Sequence, residues 1–162
     1  MKKVYGAILD KGEKYYTHMQ KVFDAIGNRQ TEYNWLITNC EFFALSPEIN
    51  NLLSREYSFL TGEELTEIVK KEDFQWIWAV LSGFDKCISL DKIMKYPLPY
   101  ANGYEGFWKN PLSIQHPFAN IEIVPWDSSL TLLLSKNKSI VDAYMEAFPL
   151  SQDLTEYNND FI

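Results

Sequence analysis

The stretch from Asn120 to Phe148 constrains the fold more than any other part of the chain. It contains two short apolar runs, and the residues between them include Pro125, Asp127 and two serines, which are typical of tight turns. An apolar pattern with helical spacing follows the second run. This order predicts a β-hairpin whose second strand leads into a helix that packs back on it.

Alternation along the two strands predicts which side chains of this hairpin face the same core. Ile121 and Ile123 fall on one face of the first strand, and Leu132 belongs to the alternating leucines of the second. Tyr144 and Phe148 lie four residues apart, as in the apolar stripe of a helix. We therefore expect these five residues to share one core.

Further segments carry the periodicity of strands or helices. They predict strands at residues 4–9, 33–38, 41–45 and 75–84, and helices at residues 13–26, 47–55 and 61–71. The length of 162 residues suits a single globular domain spanning residues 1–162. We expect an α+β fold, with a mixed or mainly antiparallel sheet of about five or six strands and about three helices packed on it.

The charge balance restricts the classes of partner. The chain has 15 Lys and Arg residues against 22 Asp and Glu residues, which gives a formal net charge of −7. An acidic surface repels phosphate groups, so we expect neither nucleic acid nor an anionic membrane as a partner. The charge is compatible with a basic protein partner, and equally with a role in solubility alone.

Patterns for export, membrane insertion and metal binding by cysteine are missing from the sequence. The apolar run at residues 4–9 stops at Asp10, which is too short for a signal peptide, and no run approaches the length of a membrane span. Cys40 and Cys87 lack metal-type spacing and lie beside apolar runs, which predicts buried free thiols. These observations favour a cytoplasmic location.

No cofactor or metal is expected from the motifs of this chain. A Gly-x-Gly-x-x-Gly segment and a Walker-type loop are both missing from the sequence. Two histidines without His-x-x-x-His spacing do not make a zinc site. The one candidate acid–base set is His116 with Asp127 and either Ser128 or Ser129, although Asp-Ser-Ser is also ordinary turn chemistry and Gly-x-Ser-x-Gly is missing.

Residues 85–118 lack periodicity, and they are rich in proline and aromatic residues. A long aperiodic stretch inside a compact domain is often a binding loop, and the aromatic content argues against disorder. We expect an ordered excursion that packs over the sheet. Its aromatic residues either contact a partner or cap the core beneath the loop. The candidate binding residues are Tyr100, Tyr104, Phe107, Trp108, His116, Trp126 and Asp127.

Three segments carry a resemblance to a known family: residues 33–37, 120–129 and 148–154. In these segments the chain resembles a small family of uncharacterised proteins from spore-forming Gram-positive bacteria, which is described as a domain of unknown function. The resemblance implies a bacterial cytoplasmic protein. It implies no activity, cofactor or site residue, because none is assigned in that family.

Three functions remain open from the sequence. The leading hypothesis is a non-enzymatic module that binds, neutralises or regulates another protein, as toxin-immunity proteins do; that comparison is an analogy of size and charge. The second is a small hydrolase or transferase that uses His116 with a nearby carboxylate. The third is a carrier that holds a small apolar ligand under residues 96–108.

Overall fold

A single antiparallel sheet of seven strands runs through the part of the chain described by the computed structural model, which is residues 2–160. The strands are β1 (Tyr5–Leu9), β2 (Tyr33–Phe43), β3 (Tyr57–Thr61), β4 (Gln75–Asp85), β5 (Ile121–Trp126), β6 (Leu130–Ser135) and β7 (Gln152–Asp153). Their order across the sheet is β3-β2-β4-β5-β6-β1-β7, and every neighbouring pair is antiparallel.

Six α-helices accompany the sheet within residues 2–160. They are α1 (Met19–Ala25), α2 (Pro47–Leu53), α3 (Gly62–Lys71), α4 (Leu90–Ile93), α5 (Lys138–Ala147) and α6 (Leu154–Asn159). The predicted α+β class is confirmed, and both the strands and the helices outnumber the prediction. No helix of this region combines the length and the hydropathy that crossing a bilayer requires.

Local capping explains where several helices begin. Thr61 and Glu64 form the predicted capping box of α3: the Thr61 hydroxyl accepts from the Glu64 N–H at 3.1 Å, and the Glu64 carboxylate accepts from the Thr61 N–H at 2.9 Å. At α2 and α5 only the cap side chain contributes: Ser46 accepts from the Ile49 N–H, and Asn137 accepts from the Ser139 N–H. Each cap satisfies a backbone donor that the first helical turn leaves unpaired.

The first helix is shorter than its apolar stripe predicts. It begins at Met19 instead of residue 13, because tertiary hydrogen bonds hold the preceding backbone in an irregular path. The N–H of Trp76 donates to the Thr17 carbonyl at 3.3 Å, and the Thr131 hydroxyl donates to the Tyr16 carbonyl. The predicted end of the helix is confirmed, since Gly27 and Asn28 both have positive φ.

The strand predictions also need two corrections. The strand predicted at residues 41–45 is formed only at residues 41–43, which are the end of β2; this strand continues through an irregular register near Asn39 (φ 53°). The edge strand β3 was not predicted, because it is five residues long and leads directly into α3 without a separating turn motif.

The core divides into two halves, one on each face of the sheet. On the helix face, side chains from α1, α2, α3 and α5 pack against residues of the sheet that include Trp35, Ile37, Trp76, Leu81, Ile121, Ile123 and Leu133. The opposite face carries Ile8, Leu36, Val80, Phe84, Val124, Leu132 and Leu134. Burial on both faces is the reason that β4 and β6 are almost continuously apolar.

This division corrects the predicted facing of Leu132. In the hairpin, Ile123 lies opposite Leu133, and Val124 lies opposite Leu132. Because directly opposed residues point to the same face, Leu133 shares the helix-face core with Ile121, Ile123, Tyr144 and Phe148. Leu132 is fully buried, but on the other face. Three consecutive buried leucines give no alternation, so the sequence could not assign the face.

The hairpin turn also differs from the prediction. Pro125 lies within β5, and the turn spans Trp126 to Ser129, closed by the Ser129 N–H donating to the Trp126 carbonyl at 3.0 Å. Asp127 and Ser128 have φ of 49° and 57°. Positive φ at both central positions is the geometry that matches the twist of two antiparallel strands.

The expectation of two buried thiols is wrong for Cys87, which is exposed in the turn after β4. Cys40 is partly buried. Its thiol has a pKa raised to about 12, mainly by desolvation and to a smaller extent by the nearby charge of Glu41. Because the thiolate is the reactive form, we expect a thiol reagent at neutral pH to modify Cys87 rapidly and Cys40 only slowly. Replacing Cys87 with Ser should abolish the rapid phase; a rapid phase that survives would contradict this assignment.

Candidate binding surface

The excursion between β4 and β5, residues 86–118, forms a folded layer over the second face of the sheet. Its buried apolar side chains complete the core half that the helices do not cover; they are Ile93, Ala101, Phe107, Leu112 and Ile114. The predicted ordered excursion over the sheet is therefore confirmed. The layer is both a core cap and a surface, since Phe107 is fully buried and Tyr100 is 45% exposed.

Side-chain hydrogen bonds fix the path of this layer. The Gln115 amide bridges to the backbone of Tyr100, accepting from its N–H at 3.0 Å and donating to its carbonyl at 2.9 Å. The Asn39 side chain accepts from the Ala101 N–H at 3.1 Å, which ties the layer to β2. These bonds satisfy backbone groups that have no partner in a strand or helix.

Five of the seven predicted binding residues come together in a chain of ring contacts, which we call the aromatic array. Its members, in order of contact, are Tyr100, Tyr104, Phe107, Trp126 and Trp108. Successive ring centroids lie 5.4, 4.6, 6.1 and 5.1 Å apart, all in edge-to-face arrangements. Aromatic pairs favour this geometry. Because Phe107 at the centre of the array is fully buried, the array reaches the surface at its two ends, which are Tyr100 with Tyr104 and the pair Trp108 and Trp126.

The array ends in an open cleft of about 380 Å³. We call it the aromatic cleft; its lining residues are Trp108, Trp126, Leu130, Tyr157 and Asn158. The two tryptophans are half-buried, so their rings contribute both to packing and to the cleft wall. Sequence reasoning missed the residues from α6, because nothing in a short C-terminal helix indicates that it reaches the excursion.

Asn158 supplies an unusual polar group to the wall of this cleft. The residue is 1% exposed, and its amide nitrogen donates to the Phe107 carbonyl at 3.0 Å. Its Oδ1 is buried and accepts no hydrogen bond from any described residue. Buried polar atoms are normally paired, so an unpaired acceptor on a residue that lines the cleft is unusual.

His116 lies apart from the aromatic array and has both ring nitrogens engaged. Its Nδ1 accepts from the Phe118 N–H at 3.1 Å, so Nε2 carries the proton and donates to the Ile93 carbonyl at 2.9 Å. Burial lowers the pKa of His116, against the opposing effect of the Ile93 bond. The ring is 2% exposed and contacts Phe84 and Tyr96.

Asp127, the remaining predicted residue, is exposed in the hairpin turn. The neighbouring Ser128 N–H donates to the Ile77 carbonyl at 3.0 Å, which anchors this turn to β4. Within residues 2–160, none of Asp127, Ser128 and Ser129 has a hydrogen bond or ion pair with His116. The structure therefore does not assemble the acid–base set that the sequence suggested as a candidate.

A buried carboxyl group that sequence reasoning missed lies beneath the excursion. Glu122 on β5 is completely buried opposite Ser82 on β4, and its Oε2 accepts from the Gln115 N–H at 3.3 Å. The Glu122 Oε1 and the Ser82 hydroxyl have no partner among the residues described. Desolvation raises the pKa of Glu122 to about 8, although the Gln115 bond acts in the opposite direction.

The same carboxyl group affects the aromatic array. Burial raises the pKa of the Tyr104 hydroxyl, and the nearby Glu122 and Tyr100 raise it further. The alternation of Ile121, Glu122 and Ile123 is typical of a strand with one solvent face. That face is covered by the excursion, which is why the pattern gave no signal of a buried acid.

No family model matches this sequence, and neither a curated protein nor a solved structure matches it. Across the described part of the chain, no three His, Cys, Asp or Glu side chains lie close enough together to hold a metal ion.

Proposed function

We propose that this chain is a non-enzymatic cytoplasmic protein of the bacterial family that its sequence resembles, and that it binds and regulates or neutralises another protein through the aromatic array. The observation that carries the proposal is the aromatic cleft at the end of the array. Two half-buried tryptophans, Trp108 and Trp126, line it together with Asn158, whose buried Oδ1 has no partner among the described residues.

The chemistry of the cleft favours an aromatic side chain of a protein partner as the anchor. Tyrosine and tryptophan present a flat apolar ring, which matches a cleft lined by two tryptophans and Leu130. Buried aromatic anchors of this kind dominate the energy of protein interfaces. The net charge of −7 favours a basic partner over nucleic acid or an anionic membrane.

Preorganisation supports the same function. The excursion is held by side-chain hydrogen bonds and by its own buried residues, so the array would bind a partner without a large ordering cost. The engaged nitrogens of His116 weigh against the alternative of a hydrolase or transferase, which would need a free ring nitrogen.

Capture from an extract of the native cells tests the proposal. We expect Trp108→Leu to reduce recovery of the partner by at least about tenfold, because central aromatic anchors each contribute about 2 kcal/mol or more. The matched control is Tyr15→Leu, since Tyr15 is an aromatic residue of 48% exposure outside the array. Melting temperatures of both variants verify folding.

Equal capture by wild type and a folded Trp108→Leu variant would contradict the proposed site. An equal loss of captured partner in the Trp108→Leu and Tyr15→Leu variants would point to a non-specific effect of removing aromatic side chains. That result would also contradict the proposed site. The partner is identified from the captured band, and its affinity is then measured with purified proteins.

A further inference from the structure

A carboxylate that has no partner within residues 2–160 lies beside the aromatic cleft. Asp10 directly follows β1 and is half-buried. Its Oδ1 is buried and has no hydrogen-bond partner among the described residues. The ion pairs of this part of the chain do not include Asp10 either. Because buried charges are normally paired, this carboxylate is a candidate contact for a cationic group of a ligand.

The register of the sheet places Asp10 next to the cleft. Leu9, the last residue of β1, lies opposite Thr131 on β6. Continued by one residue, this register sets Asp10 beside Leu130. Leu130 in turn lies opposite Trp126 on β5, and both line the cleft. Since directly opposed residues point to the same face of a sheet, Asp10, Leu130 and Trp126 form a row across the second face.

The electrostatics of Tyr157 indicate the same position for this carboxylate. Tyr157 belongs to α6 and lines the cleft. Burial raises the pKa of the Tyr157 hydroxyl, and the charge of Asp10 raises it further. Because the interaction between charged groups weakens with distance, the Asp10 carboxylate lies near this hydroxyl, on the side of the cleft that α6 forms.

Aromatic rings form the other walls of the cleft, and their planes are inclined to one another. The rings of Trp108 and Trp126 lie 5.1 Å apart at 86°, and those of Trp108 and Tyr157 lie 6.1 Å apart at 46°. The faces of aromatic rings carry partial negative charge and attract cations. The lysines that lie over aromatic rings within residues 2–160 do not use Trp108 or Trp126.

The lysines next in sequence to this site do not neutralise it. Lys11 follows Asp10, and Lys109 follows Trp108; both lysines are exposed. Among the described residues, neither lysine lines the cleft or forms an ion pair. The chain as a whole carries a net charge of −7. The local carboxylate and the overall charge therefore both favour a cation in the cleft.

We propose that the aromatic cleft receives an arginine side chain of the protein partner, with the guanidinium at the end of the cleft beside Asp10. A guanidinium donates two parallel hydrogen bonds to a carboxylate and stacks on aromatic rings, so a single group meets both features of the site. A lysine ammonium is a compact, strongly hydrated charge and does not stack in this way. The inference rests on the proposed function of the aromatic array, and it adds an arginine next to the aromatic anchor of the partner.

Three capped dipeptides provide the probe: arginine, lysine or citrulline, each followed by tyrosine. Citrulline has the shape of arginine without its charge. Binding is followed by the indole N–H NMR signals of Trp108 and Trp126. We expect the arginine peptide to bind with a Kd in the millimolar range or below. It should bind at least about fivefold more tightly than the citrulline peptide, through charge-assisted hydrogen bonds, and at least about threefold more tightly than the lysine peptide.

Variants of the full chain test the contact with the carboxylate. Asp10→Asn should bring the arginine and citrulline peptides within about twofold of each other, because it removes the charge and keeps the shape of the side chain. Asp24→Asn is the matched control, since Asp24 is exposed on α1, on the helix face of the sheet; it should keep the preference for arginine. Trp108→Leu should weaken all three peptides, because they share this wall of the cleft. Melting temperatures verify that each variant is folded.

Three results would overturn the inference: equal binding of the arginine and citrulline peptides, a preference for arginine that survives in folded Asp10→Asn, and no binding of the arginine peptide in the millimolar range. The proposed function is judged separately, by capture of the partner. If Trp108→Leu abolishes capture while the arginine peptide shows no preference, the array binds a partner and the arginine contact is wrong.

Discussion

Replacing Glu122 with Gln should stabilise the protein at pH 8 and remove much of the pH dependence of its stability between about pH 5 and pH 8. The folded protein holds the Glu122 proton up to about pH 8, while the ordinary value for the unfolded chain is 4.5. The stability contribution of this protonated group is therefore complete below pH 4.5, and it is lost as the pH rises through the folded value.

The expected magnitude is large because the carboxyl group is completely buried. Each pH unit between the unfolded and folded pKa values changes the free energy of unfolding by about 1.4 kcal/mol. Across this window the free energy of unfolding of the wild type would fall by several kcal/mol. Glutamine avoids this loss, because its amide has the shape of the side chain and stays neutral. Tyr104, whose hydroxyl interacts with Glu122, has a pKa raised from its ordinary value and does not titrate in this window.

Urea unfolding of both proteins at pH 5, 6.5 and 8 measures the effect. As the pH rises, the free energy of unfolding of Glu122→Gln should increase relative to that of the wild type. Glu146→Gln serves as the control, because Glu146 is exposed on α5. Parallel stability curves for wild type and Glu122→Gln would show that Glu122 is already ionised in the folded protein.

Phe107→Ala should lower the free energy of unfolding by about 3–5 kcal/mol, as truncation of buried Phe residues does. Phe107 is fully buried in the second core half, between Tyr104 and Trp126. Tyr100→Ala should change stability by less than about 0.5 kcal/mol, because surface substitutions away from special features have small effects, and Tyr100 is 45% exposed.

Chemical denaturation of the two variants tests whether residues 86–118 are a structural layer of the core. A loss below about 1 kcal/mol for Phe107→Ala would mean that the excursion opens without cost, and the core half beneath it would then be marginal. A loss for Tyr100→Ala as large as that for Phe107→Ala would show that the array is purely structural, which would remove the basis for its role in binding.

Elements with local signals were predictable from the sequence. The hairpin and the helix after it, the capping box of α3 and the end of α1 all depend on residues close together in the chain. Turn residues, caps and periodicity act over a few positions, so a single sequence is enough to detect them.

The failures have long-range causes. The start of α1 depends on hydrogen bonds from Trp76 and Thr131, which are distant in sequence. The facing of Leu132 depends on the excursion, which buries the second face and removes the polar alternation. In both cases tertiary contacts overrode a local pattern, as they commonly do for short elements.

In the candidate site, too, features with a local signal were predictable and features that depend on distant residues were not. The aromatic residues of the excursion were predictable as a group, because prolines, glycines and aromatics without periodicity indicate an ordered loop. The cleft itself combines Trp108 from the excursion, Trp126 from β5 and Asn158 from α6. The buried acid Glu122 required knowledge of what covers its strand. No local pattern contains either arrangement.

Site-specific photo-crosslinking in the native cells tests the proposed binding surface most directly. A photoreactive amino acid placed at position 100, in the aromatic array, should produce a single cross-linked partner band. The same amino acid at position 15 is the control, since Tyr15 and Tyr100 are similarly exposed, at 48% and 45%. A band from position 100 alone is the result this account predicts; no band from either position, or equal bands from both, would contradict it.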